Sequence, residues 1–493
     1  HKVGNNAILC HAKTTSSAII NQGDFMDKPG NYYQGINQSL LHHVPETAVR
    51  ILEIGCATGV FGAALKELNP KRYVVGVEYV PEVAEVARTH LDEVYAFDIQ
   101  THELPDSIEL QSFDCIVCGD VLEHLTEATS VLRKLLRYLK PDGKVVACIP
   151  NVQHFSVIQQ LLTQNFQYHG VGLLDKTHVN LMTLPNMFKM FLDAGYFPQL
   201  AQVLRVGAVD EGFMHSLLPV LGYLGVAPER AKSALEAYQY VLTASIQQAN
   251  INRAETWASE IKPQACTVAV AMNNPLQYQN NVAASPELAS NDMGHQLLTM
   301  TGAQNMAQAW EHAKLHAAHD WIVLVHQDVY LPADWLKQVQ YAWHEAEAEL
   351  GQQIGVLGVV GMRNLGDETV SYLGRCIDRV ATYLPAASLP SLTDSLDELV
   401  LVYRKDRFLP VISPELGFHF YGTDSVLKAQ EAGFAAAVVD VPCFHNSSRF
   451  GSHMNDEDLK QKAMAFHQLW QHRLPVFTLV AQMRPDKIVL NAS

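Results

Sequence analysis

Two tracts of this sequence alternate short strand-like runs with helix-like stretches. That alternation predicts a mostly parallel sheet covered by helices on both faces for the first tract, and a second α/β unit with its own core for the other. In the first tract, about 31–205, the strand-like runs are Arg50-Ile-Leu-Glu-Ile54, Tyr73-Val-Val-Gly-Val77, Phe113-Asp-Cys-Ile-Val117 and Lys144-Val-Val-Ala-Cys-Ile149, with helix-like stretches such as Val83–His90 and Ala128–Leu139 between them. The second tract opens at Ala265-Cys-Thr-Val-Ala-Val-Ala-Met272. It continues through Trp321-Ile-Val-Leu-Val325, Ile354-Gly-Val-Leu-Gly-Val-Val360, Leu399-Val-Leu-Val-Tyr403 and Ala436-Ala-Val-Val-Asp-Val441.

Between the tracts, residues 206–262 show no strand signal. A helix is expected to start at Ala227-Pro-Glu-Arg230, and 231–261 is rich in Ala, Gln and Leu, so the whole stretch is expected to be a helical linker. The expected organisation is a polar arm over 1–30, an α/β domain over 31–205, the linker over 206–262 and a second α/β domain over 263–493 with a C-terminal helical tail. A chain of 493 residues has room for this, at roughly 100–200 residues per domain.

Composition excludes several classes. Hydrophobic residues make up 48% and charged ones 17%, enough to build cores. A net charge of −16 opposes general nucleic-acid binding. The eight cysteines are scattered, which is no disulfide framework. Cys115 and Cys118 form a C-x-x-C inside a strand-like run, where alternation points them to opposite faces. No apolar run reaches the ~20 residues of a membrane helix; Leu217–Ala227 is short and contains Pro219. No secretory signal is evident, so the expected location is cytoplasmic, with a peripheral position at the inner membrane face as the variant.

The first candidate site begins where the run Ile51–Ile54 enters Gly55-Cys-Ala-Thr-Gly59-Val-Phe-Gly62 and then a helix. Glycines at such a turn let backbone approach a ligand, and the helix start favours an anionic group. The glycine spacing is one residue longer than the dinucleotide fingerprint, which argues against NAD. Glu53 lies just before the turn, where a carboxylate can meet a cationic ligand. Glu78 ends the next run, positioned for two ribose hydroxyls. Asp98 follows in a loop, and Asp120 and His124 follow the run Phe113–Val117 in Asp120-Val-Leu-Glu-His-Leu125.

With Leu139-Lys-Pro-Asp-Gly-Lys144, these motifs resemble the class I S-adenosylmethionine-dependent methyltransferases over about 170 residues. The resemblance implies a Rossmann-like domain in which Gly55, Gly59 and Glu78 contact S-adenosylmethionine, Asp98 lies near the adenine and Asp120 near the methionine part. His124, or His178 in Leu174-Asp-Lys-Thr-His178, is a candidate base for the acceptor hydroxyl, since an imidazole titrates near a pKa of about 6.5. Both are equally readable as structural histidines. The Leu174–His178 segment resembles an insert of methyltransferases attached to surface-polysaccharide enzymes. The absence of an Asn-Pro-Pro-aromatic tetrapeptide favours O-methylation over amine methylation.

The second candidate site is sharpest at Trp321-Ile-Val-Leu-Val-His326-Gln-Asp328, a buried run ending in His-Gln-Asp. Alternation brings His326 and Asp328 to one side, where both can reach a divalent cation that neutralises a diphosphate. Asn273 and Asn274 end the opening strand of this tract. Asp424 stands at a helix start after Phe418-His-Phe-Tyr-Gly-Thr423, and His445 ends the last strand.

Together these segments resemble GT-A glycosyltransferases of the family-2-like class over roughly 265–450, with His-Gln-Asp in place of Asp-x-Asp. The resemblance implies a GT-A-like α/β domain and a nucleotide-sugar donor near Asn273 and Asp328. It also implies Mn²⁺ or Mg²⁺ at Asp328, His326 and His445, and Asp424 as the base that takes the acceptor proton. Asp424 is also a good helix N-cap. Asp397 and Glu398 either bind acceptor hydroxyls or form a solvated turn. Trp310, Trp321 and Trp335 either stack on sugars or, more in keeping with their type, fill the core.

Two donor-site patterns in one chain imply a bifunctional transferase acting on a glycan or glycolipid acceptor in surface-polysaccharide assembly, without nucleic-acid partners. The competing readings are a methyltransferase with a non-catalytic glycan- or protein-binding module, and an enzyme that modifies polypeptides.

Overall fold

The first sheet is built from β1 (Arg50–Ile54), β2 (Tyr73–Glu78), β3 (Glu93–Ala96), β4 (Phe113–Gly119), β5 (Leu139–Pro150), β6 (Tyr196–Arg205) and β7 (Ala237–Ile246), in the order β3-β2-β1-β4-β5-β7-β6. The computed structural model describes residues 35–366, 369–378, 381–384, 387–447 and 457–491. The expected arm over 1–30 lies outside them. β1 to β5 run parallel, and β7 is antiparallel to both β5 and β6. These strands are near-continuous apolar runs because both faces are covered. Leu52, Ile54, Val75, Ile116 and Cys118 pack on one side; Ile51, Val74, Cys115 and Val117 pack on the other. Cys115 and Cys118 therefore sit on opposite faces as buried thiols. Strand order reverses between β1 and β4, which opens a crevice at their carboxyl ends.

The expected helical linker over 206–262 is corrected. Helices Glu211–Leu224 and Pro228–Glu236 do lie there, but β7 follows before helix Gln248–Trp257. Ala237-Tyr-Gln-Tyr-Val-Leu-Thr-Ala-Ser-Ile246 carries aromatic and β-branched residues that suit a strand paired on both edges, and sheet pairing overrides the helix preference of its flanks. The first sheet is therefore complete only at Ile246.

The second unit holds a seven-stranded mixed sheet. β8 (Cys266–Met272) pairs in parallel with β9 (Gln296–Thr301) and with β10 (Trp321–Val325). Val400–Arg404 runs antiparallel to β10 and to Ile354–Gly358. A four-stranded sheet sets Val329–Tyr330 against Cys443–His445 and so carries the chain after β10 to the last strand's end. Trp310, Trp321 and Trp335 are core residues, with indole N–H groups of Trp310 and Trp335 donating to the Pro410 and Val441 carbonyls. The expected helical tail is one helix, Glu457–Leu469, followed by a small antiparallel sheet of three strands over 476–490.

The two units pack directly. Tyr330, Ile377 and Phe444 join the core of the first sheet. Asp193 accepts from Tyr330 Oη at 2.7 Å and from Ala333 N at 2.9 Å, while Lys189 Nζ lies 4.5 Å from the Tyr330 ring centroid. No helix among the described residues is long and apolar enough to cross a membrane.

Candidate functional site

A cavity of about 1060 Å³ opens at the carboxyl ends of β1, β2 and β4. Gly55 turns the chain there at φ +68°, and a Cβ on it would stand 2.9 Å from Val121 Cγ2. Only glycine lets β1 leave the sheet this close to the loop after β4. Gly59 does something else. It sits at φ +80° ahead of helix Val60–Leu68, faces Leu91 and Ala87, and is not part of the cavity wall. What the structure gives it is a demand on backbone conformation and helix packing.

Glu78 ends β2 with its carboxylate held at both oxygens. Oε2 accepts from Ala57 N at 2.9 Å and Oε1 from Val80 N at 3.0 Å. Burial pushes its pKa up, and those two N–H donors oppose the shift. Glu53 lies behind the turn and lines the same cavity; burial, then the neighbouring Glu78, pushes its carboxyl up to about 8. Asp98 caps its own loop by accepting from Gln100 N at 2.9 Å and also lines the wall. Asp120 adopts φ +52° directly after β4 and accepts from Gln239 Nε2; burial pushes it up to about 6. Gln239 belongs to β7, so the strand missed in the sequence contributes a side chain to the cavity.

His124 and His178 meet across the cavity mouth, with ring centroids 4.7 Å apart in an edge-on arrangement. His124 Nδ1 is 3.1 Å from the Thr177 carbonyl oxygen, and His178 Nδ1 is 3.0 Å from that of Leu173. Val179 N and Asn180 N donate to the Glu123 carbonyl, which pins the insert to the turn after β4. Glu123, overlooked as a site residue, is completely buried beside both histidines. Its one signal in the sequence is its place in the Asp120–Leu125 motif.

The second candidate site forms where β10 ends. One ligand atom from each of His326, Asp328 and His445 lies within 4.8 Å of the others, a set able to hold a divalent cation. His445 stands between two carboxylates: Nε2 is 3.4 Å from Asp328 Oδ1 and Nδ1 is 3.4 Å from Asp378 Oδ2. Burial opposes charge on the imidazole, yet the two carboxylates raise its pKa well above the ordinary value. Asp328 is likewise held below the usual carboxylate range by His445 despite its burial. A carboxylate on the far ring nitrogen is the support that metal-ligating histidines commonly have, so the residues fit a cation. His326 Nε2 is 2.9 Å from Tyr421 Oη. Asn273 is bonded to Gln327, the middle residue of His-Gln-Asp: its Oδ1 accepts from Gln327 Nε2 at 2.6 Å, and its N donates to Gln327 Oε1 at 3.0 Å.

Asp424, expected as the base, is not part of this cluster. Its carboxylate is fully buried and accepts from Ser413 N (3.0 Å), Ser413 Oγ (3.3 Å), Lys428 Nζ (2.8 Å) and Trp470 Nε1 (3.0 Å). Nor is it an N-cap: Phe420 holds that position of helix Tyr421–Glu431. Glu398 is linked to this cluster through Tyr421, whose hydroxyl also contacts His326. Its Oε1 is 3.4 Å from Gly422 N, its carbonyl accepts from Tyr421 Oη at 3.3 Å, and burial followed by Asp397 pushes its carboxyl up to about 8.

Residues 52–145 match a protein-family model described as a methyltransferase domain. With the strand order above, the N-terminal part of the chain is a class I methyltransferase domain of the S-adenosylmethionine-dependent type. Among curated proteins, it is 29% identical over 136 residues to a ubiquinone biosynthesis O-methyltransferase of Xanthomonas oryzae, covering 26% of this chain and 56% of that protein. The counterpart from Xanthomonas campestris is 28% identical over 134 residues, covering 26% and 55%. The chain thus spans about half the length of the curated relatives it matches. Among solved structures, a methyltransferase from Thermotoga maritima, titled a possible histamine N-methyltransferase, is similar at 19% identity and TM-score 0.30, covering 43% of this chain and 88% of that one. Magnesium protoporphyrin IX methyltransferase from Synechocystis is similar at 12% identity and TM-score 0.27, covering 40% and 73%.

Proposed function

We propose that the chain is a two-site transferase. The first unit passes a methyl group from S-adenosylmethionine to a hydroxyl of a sugar-containing acceptor. The second passes a sugar from a nucleotide-sugar donor to a glycan or glycolipid, with Mn²⁺ or Mg²⁺ at His326, Asp328 and His445. The observation that carries the first half is the acid-lined cavity at the strand-order reversal, where Glu78 and Asp120 face one space and, among the described residues, no lysine or arginine lines the wall. Such a wall favours a sulfonium nucleoside, and methyl transfer itself needs mainly alignment of donor and acceptor. The curated relatives' O-methyl acceptors support oxygen as the target. Helices Phe155–Leu162 and Glu211–Leu224 pack through Phe155, Ile158, Phe213 and Leu217 and leave Leu161, Leu162, Val220 and Tyr223 exposed. That surface supports a lipid-linked acceptor.

Calorimetric titration with S-adenosylhomocysteine tests the first half: binding is expected, weakened at least tenfold by Glu78→Ala. A chain that does not bind it is no methyltransferase of this kind. For the second half we place Glu398 on the acceptor side in the role first expected of Asp424. Donor hydrolysis by the full chain, with Mn²⁺ and a panel of nucleotide sugars, is expected to vanish in Asp328→Ala. One observation favours the non-catalytic reading of this unit: His445 has a carboxylate 3.4 Å from each ring nitrogen, so its imidazole is already engaged on both sides. If no donor is hydrolysed or bound, that reading stands. A mass shift on co-expressed proteins would instead identify a polypeptide acceptor.

A further inference from the structure

Among the described residues, four strands edge the two seven-stranded sheets, and three of them are blunted. β3 is four residues long and opens on the charged Glu93. β6 carries Pro198 and two breaks in its register with β7. Ser391–Leu392 is only two residues long. Shortness, charge, proline and bulges are the devices by which an edge refuses a further strand. β9 has none of them. Its six residues, Gln296-Leu-Leu-Thr-Met-Thr301, pair with β8 without a shift. Among the described residues, no backbone hydrogen bond is made to their other edge.

The surroundings suit a strand of the same character. Residues 293–310 contain no Asp, Glu, Lys or Arg, in a chain of net charge −16. Two copies of such a chain repel on average, so they meet most readily where acids are missing. Leu298 and Met300 are half-buried and pack against the core on the side of helix Met306–His316, while Leu297 packs on the other side. His312 of that helix borders the same hollow as Leu298 and Met300. A turn further along, Leu315 is 79% exposed.

We propose that β9 is a dimerisation edge, at which a second copy of this chain adds its own β9 antiparallel and extends the sheet. The edge is self-complementary. A two-fold axis normal to the sheet keeps each face on its own side, so residues of equal parity stand opposite one another. With the axis at Thr299, Leu298 faces Met300 of the second copy and Leu297 faces Thr301. The apolar row under helix Met306–His316 then runs on across the axis, and the two helices come side by side. Such an interface is isologous and closes at two copies. The strand contributes main-chain hydrogen bonds, and the helix widens the contact towards the about 800 Å² per partner of a standard interface. An extended peptide would use the strand and leave the helix bare, which favours the second copy. The dimer rests on neither transfer reading.

Sedimentation velocity of the full chain across the micromolar range tests this, and twice the monomer mass is expected. Hydrogen exchange on the unaltered protein locates the contact: the amides of Gln296–Thr301 are expected to slow as concentration rises. Leu298→Lys combined with Met300→Lys sets like charges against each other across the axis. It is expected to raise the dimer dissociation constant at least tenfold with an unchanged circular-dichroism spectrum. A monomer throughout that range overturns the proposal. So does a dimer that survives the double substitution undiminished, or one in which exchange at Gln296–Thr301 ignores concentration. Slow exchange of the strand in a monomer would mean that another segment of the chain or an extended peptide holds the edge, and overturns it as well.

Discussion

Trp470 Nε1 donates to Asp424 Oδ1 at 3.0 Å and ties the end of the C-terminal helix to the buried start of helix Tyr421–Glu431. Ser413 and Lys428 donate to it as well, a set of contacts that predicts a structural acid. Asp424→Ala leaves those donors facing a void and is expected to cost about 2–4 kcal/mol. Calorimetry should show a lowered Tm, with Trp470→Phe intermediate. An Asp424→Asn protein as stable as the parent but inactive in sugar transfer would return Asp424 to the role of base.

The contacts of Asp424 show where sequence information ends. A strand, a glycine turn and a helix start lie within a dozen residues, so local spacing sets Glu53 and Gly55 together, and Glu78 joins them because β2 pairs with β1. Besides the nearby Lys428, the partners of Asp424 are 11 residues upstream and 46 downstream, with no motif linking them. Residue type made His124 and His178 candidates, but the fold of the insert makes them neighbours and buries Glu123 with them. β7 was hidden for a related reason. Its strand character depends on pairing with β5 and β6, while its flanks look helical.

Glu53 gives the first unit a pH signature. Its pKa of about 8 means it is largely protonated at neutral pH, and a cationic cofactor beside it lowers that pKa. Cofactor binding therefore releases a proton, and affinity rises with pH up to about 8, by at most tenfold per unit. Calorimetry in buffers of different ionisation enthalpy reads the proton directly. Folded stability moves the other way. A carboxyl raised from 4.5 to about 8 loses stability for the fold as pH climbs through that range, so Glu53→Gln should raise the apo Tm at pH 8 while weakening cofactor binding.

Asp378 and His445 predict a different profile in the second unit. His445 is raised, so its contribution is fully present below an imidazole's ordinary pKa of about 6.5 and fades as pH rises through the folded value. Asp378, held low by His445 against its burial, contributes above the ordinary carboxyl range and loses that contribution in acid. The stability deficit of Asp378→Asn should therefore be greatest around neutral pH, about 1–3 kcal/mol. It should shrink towards both extremes in denaturant titrations of the metal-free protein. A deficit constant with pH would mean that the contact is packing rather than charge.

Gly55 and Gly59 stand in one turn, yet they should fail differently. Both have positive φ, so alanine at either strains the backbone by about 1–2 kcal/mol. At Gly59 the new methyl meets Leu91 Cγ at 3.1 Å and the Ala87 backbone at 3.2 Å, away from the cavity. Gly59→Ala should lower Tm and leave S-adenosylhomocysteine affinity within about twofold. At Gly55 the methyl meets Val121 Cγ2 at 2.9 Å, and both residues belong to the cavity wall. Relief there displaces the loop that carries Asp120, so Gly55→Ala should lower affinity at least tenfold as well as Tm. Paired calorimetric and thermal measurements separate the two, and an equal loss of affinity at Gly59 would restore it to the binding surface.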